Sequence, residues 1–192
     1  MNNSIDILAQ IIREVDGDNS LSVGTLAESI LRHKNFNLIK GRGLEDQLEM
    51  ARKIALAVHL DDKYGDKPYS YHLEQVVSYV EKFFAFPKEL NLIKLKIVAW
   101  LHDTIEDHPK IVNKKYLLNS GFDEDIVNAV EAISKREKEG ICDYLTRVKA
   151  NELARKVKIA DSYANISQDD TNLRRIKKYS YCLRFLTGDL II

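Results

Sequence analysis

Cysteine is scarce. Only Cys142 and Cys182 occur in 192 residues. They fit no metal-ligand spacing such as Cys-x-x-Cys, so no disulfide framework is being built, and a reducing cytoplasm is expected. An excess of one charge is missing as well. Lys+Arg total 29 and Asp+Glu total 29, so no global field draws the chain to nucleic acid or to an anionic membrane. Any anionic ligand must be attracted by a local site. Long apolar runs are absent too. The run Ile97–Leu101 is broken by charge well short of the ~18 residues a spanning helix needs. The opening residues 1–10 carry no basic stretch, so neither a membrane span nor a secretory signal is expected. There is no internal repeat, no low-complexity tract, and no extended apolar/polar alternation of the kind a half-buried strand shows.

Hydrophobic residues make up 45% and charged residues 30%, enough apolar surface for one substantial core. At about 150 residues per domain, the length suits one domain with an appendage. Helical spacing dominates. Apolar stripes predict helices over residues 4–14 and 24–32, about 44–62, 71–84, 89–107 and 113–119. Another carries Ile126, Val127, Val130 and Ile133, and three more cover about 141–150, 152–166 and 171–187. Residues 62–68 read as a polar loop, and Pro87 and Pro109 close the helices before them. The expected fold class is all-α, with residues 1–43 as an N-terminal helical extension and 44–192 as the main domain.

The polar residues on those stripes carry the chemistry. His72 shares a stripe with Val76 and Val80, and His102 with Leu95 and Val98, so both imidazoles point inward. Asp103 follows His102, with Glu106 and Asp107 one turn on, beside the apolar run that ends at Leu101. Asp161 lies on the Val157 stripe of a later helix, with Asn165 one turn beyond. Unpaired carboxylates there cost several kcal/mol, so cations must be near. Two imidazoles and two carboxylates, His72, His102, Asp103 and Asp161, make a mixed nitrogen and oxygen shell suited to Mn, Fe, Co or Zn. A metal held this way can activate water and polarise a phosphoryl oxygen. His59 reads as a hydrogen-bonded packing group, His33 and His108 as solvent-facing, and Trp100 as core.

The set His72, His102-Asp103-x-x-Glu106-Asp107 and Asp161-x-x-x-Asn165 resembles the HD-domain metal-dependent phosphohydrolases. Within them it is similar to the SpoT-like alarmone hydrolases and their small stand-alone relatives. The segments Lys67–His72, Ala99–Asp107 and Val157–Asp161 follow that family's wording and order, over roughly residues 44–187. The resemblance implies an HD-domain helical bundle with Mn²⁺ on His72, His102, Asp103 and Asp161. The implied reaction removes pyrophosphate from the 3′ position of guanosine tetra- or pentaphosphate, giving GDP or GTP. It further implies that Glu106 and Asp107 orient or deprotonate the attacking water and that Asn165 contacts the nucleotide. Lys63, Lys135, Arg136 and Arg147 become candidate phosphate clamps, and Tyr144 matches a family position near the ligand. The run His59-Leu60-Asp61-Asp62-Lys63 is more acidic than the family's usual stretch there.

Two other readings belong beside this one. Another HD phosphohydrolase would act on a nucleoside monophosphate or on the 2′-phosphate of NADPH, because a fold does not fix a substrate. A non-catalytic nucleotide sensor would keep the metal without turnover. The expected partner is a small nucleotide phosphate, not nucleic acid or membrane, with oligomerisation open. No room remains for a synthetase domain, so hydrolysis alone is expected.

Overall fold

The computed structural model describes residues 43–85, 91–168 and 172–188, together with Arg13, Thr25 and Ser29. Apart from Arg13, Thr25 and Ser29, which are helical, the expected helices at 4–14 and 24–32 lie outside the described residues, as do His33, Pro87 and the expected helix start at Glu89. So does residue 171, the first of the last expected helix.

Among the described residues the protein is helical except for one small ribbon, which bears out the all-α expectation. In chain order the helices are α1 (Leu44–Val58), α2 (Tyr69–Phe84), α3 (Leu92–Leu101), α4 (Thr104–Asp107) and α5 (Lys114–Asn119). They continue with α6 (Glu124–Ile133), α7 (Ile141–Ala150), α8 (Glu152–Ile166) and α9 (Leu173–Thr187). Asparagine side chains accept backbone N–H groups at the starts of three of them: Asn113 at α5, Asn151 at α8 and Asn172 at α9. Each satisfies a donor that the first helical turn leaves open. No described helix is long and apolar enough to cross a membrane.

Residues 62–68, expected as loop, contain an antiparallel pair of two-residue strands, β1 (Lys63–Tyr64) and β2 (Lys67–Pro68), with Tyr64 opposite Lys67. Gly65 opens the connecting turn at φ +61°, a backbone state that costs glycine little. Such a ribbon is too short for periodicity to reveal. The first described helix also stops earlier than expected. Its end is His59, whose Nδ1 lies 2.7 Å from Asp62 Oδ2.

The core is built around α3 and α8. Helix α3 buries Leu95 and Ile97–Leu101 in succession, and a helix apolar on every side belongs in the interior. It packs on α1, α2, α6 and α8. Helix α8 in turn touches α2, α3, α6, α7 and α9. Trp100 is buried as expected, with the Arg52 guanidinium 5.5 Å from its ring centre. Cys182 is buried and Cys142 exposed, and neither is in a disulfide.

The expected single helix over 89–107 is interrupted at His102-Asp103, between α3 and α4. Side chains take the carbonyls that a continuing helix would use. The His102 ring Nδ1 lies 2.8 Å from the Ala99 carbonyl, and the Thr104 hydroxyl donates to Leu101 over 2.7 Å. Such local bonds compete with the helical ladder. The break separates the buried apolar run from Glu106 and Asp107, which stand in solvent contact.

Candidate metal centre

Three helices deliver four donors to one point. The first turn of α2 carries His72, the end of α3 carries His102 and Asp103, and the middle of α8 carries Asp161. His72 Nε2 lies 3.2 Å from Asp161 Oδ1 and 3.8 Å from Asp103 Oδ2. His102 Nε2 lies 2.8 Å from Asp103 Oδ2 and 3.8 Å from Asp161 Oδ1. Donors bound to one transition ion at about 2.0–2.2 Å sit roughly 3–3.5 Å from one another. The four histidine–aspartate separations, 2.8 to 3.8 Å, straddle that range, and donor atoms of His72, His102 and Asp161 all lie within 4.8 Å of one another. His102 Nε2 makes no hydrogen bond despite its burial. Because a backbone carbonyl only accepts, the 2.8 Å contact with Ala99 fixes the proton on Nδ1. That leaves Nε2 free to ligate in the neutral ring. The donor set and the orphaned nitrogen fit a divalent cation.

The surrounding groups hold the carboxylates in place. Asp161 Oδ1 accepts from Asn165 Nδ2 over 2.7 Å, and its Oδ2 accepts from Lys158 Nζ over 2.8 Å. Burial opposes ionisation of Asp161, but the Lys158 charge and the imidazoles outweigh it and hold its pKa well below the ordinary carboxylate range. Asp103 is depressed in the same way: burial raises its pKa, and His102 and His72 more than offset that. Its Oδ2 also accepts from the Tyr69 hydroxyl over 2.6 Å. Burial disfavours His102 as a cation, yet the adjoining carboxylates push its pKa up to about 9.

A cleft of about 440 Å³ opens onto this centre. Glu106 and Asp107 line it, as the sequence reading expected, together with Lys135, Tyr144 and Asn165. Crowding by protein raises both acids, Asp107 to about 6, with the charges of Asp103 and Glu106 adding to the effect. Their exposure to the cleft's water screens part of this. Glu106 Oε2 accepts the Lys135 backbone N–H over 2.6 Å.

Two of the expected substrate residues carry other work. The Tyr144 hydroxyl donates to the Ile133 carbonyl over 2.7 Å, so the ring faces the cleft while the hydroxyl ties α7 to α6. Asn165 lines the cleft, but its amide donates to Asp161 and its oxygen accepts from the Tyr64 hydroxyl at 2.9 Å. It therefore positions the Asp161 carboxylate.

Three expected clamps fall outside the cleft. Lys63 is exposed on β1. Arg136 is exposed along a neighbouring groove with Pro109, Glu137 and Lys138. Arg147 is engaged inside the fold. Its Nη1 donates to the Glu131 and Ala132 carbonyls at 2.8 Å each, Nη2 donates to the Ser134 carbonyl and to Glu139 Oε2, and Nε donates to Glu139 Oε1. The last carbonyls of α6 have no helical partners, and a fork of fixed donors suits them. His108 is also corrected: it is half-buried, with Nε2 2.6 Å from Asp62 Oδ2.

Among the cleft-lining residues that sequence reasoning missed are Tyr64, Tyr69, Lys158, Arg175, Lys178 and Tyr179. Tyr64 stacks on the His72 ring with centres 4.6 Å apart and planes 12° apart. The signal for Lys158 was available, since a lysine three residues before a buried aspartate shares its helical face. No family model and no curated protein matches the chain.

Proposed function

We propose that this protein is a metal-dependent phosphohydrolase of the HD type, acting on a nucleotide that carries several phosphates. The observation that supports this most is the convergence of His72 Nε2, His102 Nε2, Asp103 Oδ2 and Asp161 Oδ1, with histidine–aspartate spacings from 2.8 to 3.8 Å. Glu106 and Asp107 stand one turn beyond, in the same cleft. A divalent ion on these four residues supplies positive charge to a phosphoryl group and acidifies water at neutral pH.

The chain's own residues supply the rest. Glu106 and Asp107 are placed to accept the proton of the attacking water, and their raised pKa values bring them closer to the working pH of a general base. Lys135, Arg175 and Lys178 bring cations to a highly charged phosphate chain. Tyr64 and Tyr179 add aromatic surface to the cleft wall, where a base could pack. Lys158, fixed on Asp161, keeps the α8 carboxylate ionised.

The resemblance in the motif residues favours the 3′-pyrophosphate of guanosine tetra- or pentaphosphate as substrate. Water adds to the phosphorus, the bond to the 3′ oxygen breaks, and that oxygen leaves with a proton, giving pyrophosphate and GDP or GTP. Two cysteines without a disulfide suit a cytoplasmic site of action.

The test is a Mn²⁺ assay with product identification across ppGpp, ppApp, NADPH and deoxynucleoside monophosphates. Release of pyrophosphate from ppGpp is expected. Release of orthophosphate from NADPH or a monophosphate would move the protein to another HD activity. Tight nucleotide binding without turnover would make it a sensor.

A further inference from the structure

A second set of nitrogen and oxygen donors lies outside the centre just described. Asp62 points Oδ2 between two imidazoles, 2.7 Å from His59 Nδ1 and 2.6 Å from His108 Nε2. The three donor atoms all lie within 4.8 Å of one another. His59 comes from the end of α1 and His108 from the end of α4, so the fold, not local sequence, assembles the group.

Its parts are held before any ligand arrives. The His59 ring is stacked on Tyr69, with centres 4.5 Å apart and planes 18° apart, and meets His108 edge-on at 4.9 Å. His59 Nδ1 and His108 Nε2 share protons with Asp62 Oδ2, and a metal ion would displace those protons and take the same three atoms, each ring keeping a proton on its other nitrogen. The side chains of His108 and Asp62 are 20% and 35% exposed, so solvent reaches one side of the group. The groups facing it are acidic or aromatic: Asp103 and Asp62 bear on His59, and Asp107 bears on His108. A cation arriving there is attracted.

We propose that His59, Asp62 and His108 form a second site for a divalent transition ion, open to solvent and separated from the four-ligand centre by the Tyr69 ring. Two imidazoles and one carboxylate match the first-row ions, and three protein ligands leave positions for water, as in exchangeable or catalytic sites. The proposal does not depend on the reaction assigned to the first centre.

The test is Zn²⁺ titration of the metal-stripped full chain by calorimetry, with metal analysis after gel filtration. The wild type should take up two equivalents. Asp62→Asn and His108→Gln should each reduce this to one, and Asp161→Asn should also leave one. That remaining equivalent should vanish in the Asp161→Asn/His108→Gln double variant. His108→Gln keeps an amide within reach of Asp62, and matching metal-free circular dichroism shows that the variants are folded. A wild type that binds one equivalent, lost in Asp161→Asn, would overturn the second site and leave the first intact. Two equivalents that persist in both Asp62→Asn and His108→Gln would also overturn it. One equivalent lost in His108→Gln and kept in Asp161→Asn would support the second site and remove the basis of the proposed hydrolase.

Discussion

Replacing Arg147 by methionine separates a structural role from a substrate role. The guanidinium bonds the carbonyls of Glu131, Ala132 and Ser134 and both oxygens of Glu139. Arg147 and Glu139 side chains are only 19% and 12% exposed. Methionine keeps much of the apolar stem but leaves Glu139 without its partner and the end of α6 without its donors. Breaking a buried pair from one side costs about 3–5 kcal/mol, and hydrogen bonds to charged groups contribute about 1.5–3 kcal/mol each without adding linearly. The residual exposure favours the lower half, so about 3–4 kcal/mol is expected. For a domain of this size that is a fall of roughly 6–16 °C in Tm. Urea and thermal unfolding followed by circular dichroism measure it. Arg147→Met/Glu139→Gln should recover part of the loss, because the buried charge is then gone. Unchanged stability with a tenfold or greater rise in KM for a phosphate substrate would refute the reasoning and return Arg147 to the cleft.

Adding Mn²⁺ at a hundredfold over its Kd to metal-stripped protein should stabilise by about 2.7 kcal/mol, roughly 5–11 °C in Tm. Asp161→Asn should cut that shift, and an equal shift in the variant counts against the four-ligand centre. Glu106→Gln should keep the metal and lose turnover by about 10²–10⁴-fold; an unchanged rate would exclude it as a proton acceptor. Asp107 has its pKa raised to about 6 in the folded metal-free protein, above its unfolded value of about 3.9. Its protonated form therefore stabilises the fold fully below the unfolded value, and this contribution is lost as pH rises through about 6. Metal-free Asp107→Asn should be more stable than wild type at pH 7.5, with the difference vanishing near pH 4. A pH-independent difference would show that Asp107 is not strained there.

Helices α5, α7, α8 and α9 were legible to within about two residues, and α6 by its stripe, because each carries an apolar stripe with a polar break at either end. The break at His102-Asp103 was not. Periodicity continues through Leu101 to Ile105, and the interruption comes from two side chains capturing carbonyls, which no hydropathy pattern records. The four converging donors were legible because polar groups on buried stripes are costly and call for a shared partner. Tyr64 and Tyr69 sit in and beside a ribbon without periodicity. Arg175, Lys178 and Tyr179 belong to a basic amphipathic helix whose sequence does not say which polar face borders a cleft. Arg147 was misread because a cation near an acidic motif suggests a phosphate, while the open carbonyls at the end of α6 appear only in three dimensions.

Helix α8 bears on five other helices and carries Asp161, Lys158 and Asn165 together. The floor of the cleft is therefore held from five sides among the described helices, so local opening there should be costly. The opposite rim is lightly built: a ribbon of two-residue strands, and a terminal helix that rests on α7 and α8. Whatever breathing admits a bulky guest belongs to that rim. Amide exchange should be slowest around Asp161 and fastest around Tyr64, leaving grip and admission to separate pieces of the chain.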